Sequence, residues 1–401
     1  MARTGADLEE LVRAYFARQG FFALRSVAYR FEDEDVTDID AWLYGRPSAS
    51  IRTRTIVDIK DKKSPKAFER ILWARGMQLA LGCDRAIVAT TDGGSKIVAF
   101  AHQQKVSLLS KDFLARLQSK LDTSERMTLE QFMDNIRIYK DHKQDGDWIK
   151  RIADAKSALI SLQGYPAFNK AIAAFSFFAE RAQTRPHNKE QALRGAYLTA
   201  ALACVALDSA LERIVYEDHG ARYRTIADGV TYGDAGDARV QNSINTVLEV
   251  IAKGVDNGRV VARQAREALS KMFENVRADI IAEHFVKEHN AGALVTVARE
   301  LDDRAHAINP AKIQSLSLEA KSVLGVFADF VQAKRSVLLN GKLPEARNEV
   351  LKAASDVTAE RKPASEMAAE QNPTSDTLMK QEPSSDTTTE QSPDRDQGKL
   401  L

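Results

Sequence analysis

Cysteine is nearly absent from this sequence: only Cys83 and Cys204 carry a thiol, far apart and each in an apolar stretch. That excludes a disulfide framework and any zinc site built on paired cysteines, and it suits a reducing compartment. Long apolar runs are missing too. No segment reaches the ~18 uninterrupted apolar residues of a membrane span, and the opening MARTGADLEELVRAYF has no apolar h-region. The expectation is a soluble cytoplasmic protein with no membrane partner. A charge excess of either sign is also lacking, with 57 Lys and Arg against 56 Asp and Glu. Global charge therefore neither favours nor excludes a nucleic-acid partner, and local charge has to decide. What the chain does have is an ordinary 44% of apolar residues, enough for a sizeable core.

The residues fall into three regions. Across residues 1–120 the period alternates. DLEELVRAYFARQGF carries Leu8, Leu11, Val12, Tyr15 and Phe16 at helical spacing and ends at Gly20. Three β-like runs follow, FFALRSVAYRF, DIDAWLYG and IRTRTIVDIK, then a helical AFERILWARGMQLALG, a buried-strand run RAIVAT and a short VSLLS. The order α-β-β-β-α-β-β predicts an α/β domain, a mixed sheet formed by a meander and a helical crossover and flanked by helices.

Residues 121–357 read as all-helical. Candidate helices lie near 129–141, 146–162, 166–184, 188–217, 237–253, 258–288, 291–305, 310–338 and 343–357. LTAALACVALDSALERIV is apolar on nearly every face and predicts a helix central to the bundle. This region is expected to fold as a unit of its own, the pattern changing in QSKLDTSERM. From residue 358 to 401 apolar periodicity is lost, and Pro363, Pro373, Pro383 and Pro393 recur every ten residues. Each decapeptide offers too few apolar side chains to stack, so a disordered tail is expected.

The chemistry concentrates in the first region. Alternation along TIVDIKDKKS projects Asp58 and Lys60 from one face of their strand, and in TDIDAWLYG it groups Asp38, Asp40, Trp42 and Tyr44 against Ile39, Ala41 and Leu43. If the two faces coincide, Asp40 meets Asp58 beside a lysine, with Asp38 as a spare. Two carboxylates supply hard oxygen ligands for Mg²⁺ or Mn²⁺, and an ammonium offsets phosphate charge and positions a water, which is what phosphodiester hydrolysis needs. On the first helix, Glu9 lies at the edge of the buried stripe and is the natural further ligand, while Glu10 is expected to face solvent. A D-x-K triplet alone is a common charged strand end. Order, element type and facing taken together carry the reading.

GADLEELVRAYFARQGF, TDIDAWLY, IVDIKDKK, GMQLALGCDRAIVATTDG and KVSLLS, in that order, resemble the PD-(D/E)xK nuclease superfamily and within it the Mrr-type restriction endonuclease-like domains. The resemblance spans about residues 5–118 and implies a restriction endonuclease-like, Mg²⁺- or Mn²⁺-dependent nuclease core acting on DNA. It implies that Gly5 and Glu9 match the glycine and metal-site glutamate of the first helix. Asp40 matches the first metal-binding aspartate, Asp58 the acidic D/E position and Lys60 the catalytic lysine. Gln78 matches a glutamine found near the site in some members, and Thr90 and Thr91 the polar end of the next strand. Asp58 stands where glutamate is common, and no proline precedes Asp40. The helical region lies outside the resemblance.

Local charge agrees with a phosphate partner. Between Arg46 and Arg85 ten basic residues face four acidic ones, with Lys62, Lys63 and Lys66 as candidate contacts to a nucleic-acid backbone. Just upstream, FEDEDVTD is acidic and reads as a hairpin turn. In the helical region RAQTRPH spaces Arg181 and His187 in a way reminiscent of HEPN-type RNases, but Ala182 and Pro186 break that motif and it reads as a helix end. YEDHG reads as another helix C-terminus, His219 complementing the dipole before Gly220. The leading expectation is an endodeoxyribonuclease of restriction, defence or repair, with the helices available to a protein partner or a homodimer. The alternative is a non-catalytic nucleic-acid-binding or assembly protein that keeps the nuclease fold as a scaffold.

Overall fold

Strand, helix and strand succeed one another in the first third of this computed structural model, which describes residues 5–32, 34–60, 66–92, 94–121 and 123–339. The decapeptide tail, the helix expected near 343–357 and both Lys62 and Lys63 lie outside the described residues. The order is α1 (Gly5–Arg18), β1 (Phe22–Phe31), β2 (Glu34–Gly45), β3 (Thr53–Lys60), α2 (Ala67–Ala80), β4 (Arg85–Thr90), α3 (Ser95–Gln103), β5 (Ser107–Leu109) and α4 (Lys111–Lys120). Strands β1 to β5 form one sheet in sequence order, antiparallel from β1 to β3 and parallel from β3 to β5. The mixed sheet of the sequence reading is therefore present. The short α3, which supplies the second parallel crossover, was not anticipated.

Both faces of the sheet are covered, which is why the end of β2, from Ala41 to Gly45, is buried at every position. On one face Ala23, Ala41, Leu43, Val57 and Ile59 pack against Leu8, Leu11, Val12 and Phe16 of α1 and Leu114 and Leu117 of α4. On the other, Leu24, Trp42, Tyr44, Ile56 and Val88 meet Ile71 and Ala74 of α2 and continue into the helical region. Ile39 departs from the expected alternation and belongs with Trp42 and Tyr44. The cause is Ser26, held at φ 47° in β1: Arg25 before it turns to α1, whereas Val27 after it pairs with Ile39 in the larger core.

The helices that follow are α5 (Leu129–Arg137), α6 (Trp148–Ser161), α7 (Gly164–Thr184), α8 (Lys189–Leu211), α9 (His219–Tyr232), α10 (Asp237–Gly254), α11 (Gly258–Glu274), α12 (Ala278–Phe285), α13 (Glu288–Ala305), α14 (Leu318–Phe330) and α15 (Arg335–Leu339). As expected, α8 is central. The stretch Pro186–Ile214 is the only one among the described residues long and apolar enough to cross a membrane, and 83% of its most apolar window is buried inside the protein. YEDHG is a helix start rather than an end, because the Asp218 side chain accepts from the Ala221 N–H at 2.9 Å and caps α9, a stronger local signal than Gly220. The expected helix at 258–288 is two, α11 and α12.

The sheet and the helical region are packed together. The described residues belong to one compact unit, and one core runs from Trp42 and Ile56 through Trp148 to Phe168 and Phe175. A buried polar joint reinforces it. Asp208 of α8 accepts from Tyr44 Oη at 2.7 Å, from Arg46 Nη1 at 2.9 Å and from Arg52 Nη2 at 3.2 Å.

Candidate active site

Asp40 and Asp58 come together where β2 and β3 end their pairing. The last ladder pair is Ala41 with Val57, and one step beyond it the two aspartates stand opposite each other. With no β2 carbonyl left to pair with, the Ile59 N–H donates instead to Asp40 Oδ2 at 2.7 Å. Lys60, two residues after Asp58 on the same face, brings its Nζ to 3.0 Å from Asp40 Oδ2 and 3.7 Å from Asp58 Oδ1. One ammonium thus lies between two carboxylates, as the alternation predicted.

Arg70 of α2 completes this cluster. It forks onto Asp58, with Nε donating to Oδ2 at 2.8 Å and Nη2 to Oδ1, and its guanidinium lies 4.4 Å over the Trp73 ring. The Asp58 side chain is only 1% exposed. Burial pushes its carboxyl above the usual range and the Asp40 charge adds to that, while Arg70 and Lys60 pull it back. The Arg70 guanidinium is held more firmly protonated by the same bond.

Glu9 is at the edge of this neighbourhood. Burial raises its carboxyl above the usual range against the pull of Arg25, and Asp40 is close enough to contribute in the same direction. Its Oε2 accepts from Arg25 Nη2 at 2.9 Å. Glu10, expected in solvent, is buried instead: it takes Arg13 Nε at 2.7 Å and Arg25 Nη1 at 3.3 Å. The reason is Arg25, a buried cation on β1 that draws Glu9, Glu10 and, from α5, Glu130 around it. Asp38, the spare candidate, is exposed.

Gln78 does not join the cluster. Its Nε2 donates to the Asp84 carbonyl at 2.8 Å and its Oε1 accepts from Arg75. That is the start of β4, beside Thr55, whereas Asp58 and Lys60 lie beside Val88 and Thr90 at the other end. Gln78 ties the end of α2 to the sheet. Thr90 is buried, and its Oγ1 accepts from the Asp92 N–H.

The ten basic residues counted between Arg46 and Arg85 are not one exposed patch. Arg46 and Arg52 turn inward to Asp208, Arg70 is spent on Asp58, and exposed Lys66 sits 3.3 Å from Glu69. In the helical region Arg181 stacks 3.8 Å from the Phe177 ring and pairs with Asp145 and Glu180, while His187 is exposed, in keeping with a helix end.

Sequence reasoning missed Arg70 as a site residue. Its signal was available: it precedes Ile71 on the buried edge of the helix that follows D-x-K directly. Hard oxygens from Asp40 and Asp58 beside Lys60 have the donor chemistry of a Mg²⁺ or Mn²⁺ site. Their present pairing does not form one, since Arg70 takes both Asp58 oxygens. Among the described residues no three His, Cys, Asp or Glu side chains are grouped closely enough to hold a metal ion. Arg70 therefore stands where a cation would approach Asp58. No family model, no curated protein and no solved structure matches this chain.

Proposed function

We propose that the protein is a Mg²⁺- or Mn²⁺-dependent endonuclease that hydrolyses phosphodiester bonds in DNA. The observation that carries the reading is the Lys60 ammonium lying between the carboxylates of Asp40 and Asp58 at the end of β3. In this reading Asp40 and Asp58 would hold the cation, with Glu9 as a third oxygen donor. A bound divalent cation supplies Lewis acidity at the phosphate and lowers the pKa of a coordinated water. Lys60, 3.0 Å from Asp40 here, would orient the attacking water and neutralise charge on the phosphate. The N–H of Ile59 fixes Asp40 from the strand itself, so a ligand is positioned on rigid backbone. Lys62, Lys63 and Lys66 contact the nucleic-acid backbone. A PD-(D/E)xK nuclease of the Mrr type has this order of elements and residues, and the meander followed by a parallel crossover supports the likeness. A cytoplasmic site of action belongs to the same reading.

The Arg70 fork favours a second reading, a nuclease-like scaffold that binds nucleic acid without cutting it. Purified protein incubated with supercoiled plasmid, linear duplex and single-stranded DNA, with EDTA, Mg²⁺ or Mn²⁺, separates the two. Metal-dependent conversion of plasmid to nicked or linear product supports the enzyme. DNA binding without cleavage in any metal supports the scaffold.

A further inference from the structure

Both oxygens of a buried carboxylate are engaged by one guanidinium at Asp58, the geometry in which arginine and carboxylate satisfy each other most fully. Arg70 itself reaches solvent. Its side chain is 25% exposed, and α2 also buries Ala67, Ile71, Ala74 and Gln78. The Trp73 face beneath the guanidinium offers a second surface that holds a cation once the carboxylate is gone.

We propose that Arg70 is a displaceable counter-ion: it closes Asp58 in the metal-free protein and turns to the backbone phosphate of a bound nucleic acid when a divalent cation takes up Asp58. The proposal rests on the reading of Asp40 and Asp58 as the metal site. Arg70 and the cation approach the same carboxylate, and the repulsion between the two positive charges makes the ion bind weakly while Arg70 stays there. With the cation on Asp58, a phosphate entering beside Lys60 receives the freed Arg70. By linkage, nucleic acid and metal then strengthen each other's binding.

The test is Mn²⁺ binding by electron paramagnetic resonance on the full chain without nucleic acid, in the parent, Arg70→Gln, Arg70→Lys and Asp58→Asn. Arg70→Gln removes the competitor and should bind Mn²⁺ about tenfold more tightly than the parent. Arg70→Lys keeps the charge but cannot bridge two oxygens, so it should fall between them, and Asp58→Asn should lose the signal. In EDTA, where Arg70 remains on Asp58, the salt dependence of DNA binding should be the same for the parent and Arg70→Gln. A slope shallower by about one in the variant would show that Arg70 already lies on phosphate and overturn the closed state. Equal or weaker Mn²⁺ binding in Arg70→Gln, with a signal that still depends on Asp58, overturns the role of Arg70 and leaves the metal site standing. Absence of any Asp58-dependent signal in both proteins overturns the metal site and Arg70 with it.

Discussion

Replacing Asp208 by Asn tests whether sheet and helices stand or fall together. The carboxylate is buried on α8 and is reached by Tyr44 from β2 and by Arg46 and Arg52 from the segment between β2 and β3. Asparagine keeps nearly the same volume but removes the negative charge opposite two guanidinium groups, of which the Arg52 side chain is 1% exposed. Leaving a buried charge uncompensated costs about 3–5 kcal/mol. For a cooperative body of this size that corresponds to a fall in Tm of about 4–7 °C. The assay is urea unfolding followed by far-ultraviolet circular dichroism, which reports the helices, with hydrogen exchange at the β2 and β3 amides in parallel. Both signals should shift together and by the same free energy. A cost below about 1 kcal/mol, or sheet amides that loosen while the helical transition keeps its midpoint, would refute the single cooperative body.

Lys156 on α6 is fully buried, and its Nζ donates to the Arg25 and Ser26 carbonyls at 2.5 and 3.0 Å; burial pushes its pKa down to about 8. Because the folded value is below the unfolded one, the unfolded chain holds more protons between pH 8 and 10.5. Stability should therefore rise with pH across that window, by up to about 3 kcal/mol. Chemical denaturation of Lys156→Met should give a flatter curve there, and an identical curve would show that the two carbonyls keep the amine charged. Glu10→Gln should destabilise by about 3–5 kcal/mol through the stranded, buried Arg13, whereas Glu9→Gln, more exposed and bound mainly to Arg25, should cost less than about 1 kcal/mol and slow cleavage. Thermal melts of the two variants side by side decide this, and equal losses would mean that Glu9 is as structural as Glu10.

Much of the first region was legible because it depends on period and register. Ala41 and Leu43 against Trp42 and Tyr44, and Asp58 with Lys60 on one face, follow from the twofold repeat of a strand, and that repeat brought Asp40 opposite Asp58. The repeat failed at Ile39, because a serine with positive φ in the neighbouring strand resets the facing and nothing in its identity announces this. Glu10 was misjudged for another reason. A helical wheel ranks positions by apolarity and cannot foresee that a strand arginine, Arg25, will be buried and call carboxylates inward. Gln78 was placed through the resemblance alone, and in the fold it serves the opposite end of α2. The joint between sheet and helices was illegible too, since Asp208 and its partners are more than 150 residues apart in sequence. Asp218 could have been read, as Asp before a helical run is a cap signal that a following glycine obscured.

The central claim is that Asp40, Asp58 and Lys60 cut DNA. The measurement is a plasmid-nicking time course in Mg²⁺ with the parent, Asp40→Asn, Asp58→Asn, Lys60→Ala and Gln78→Ala, each first shown to be folded by its melting transition. The first three variants should lose at least about 100-fold in rate, and Gln78→Ala should cut like the parent. Folded Asp58→Asn and Lys60→Ala proteins that nick plasmid as fast as the parent would contradict the account and leave D-I-K as a charged strand end.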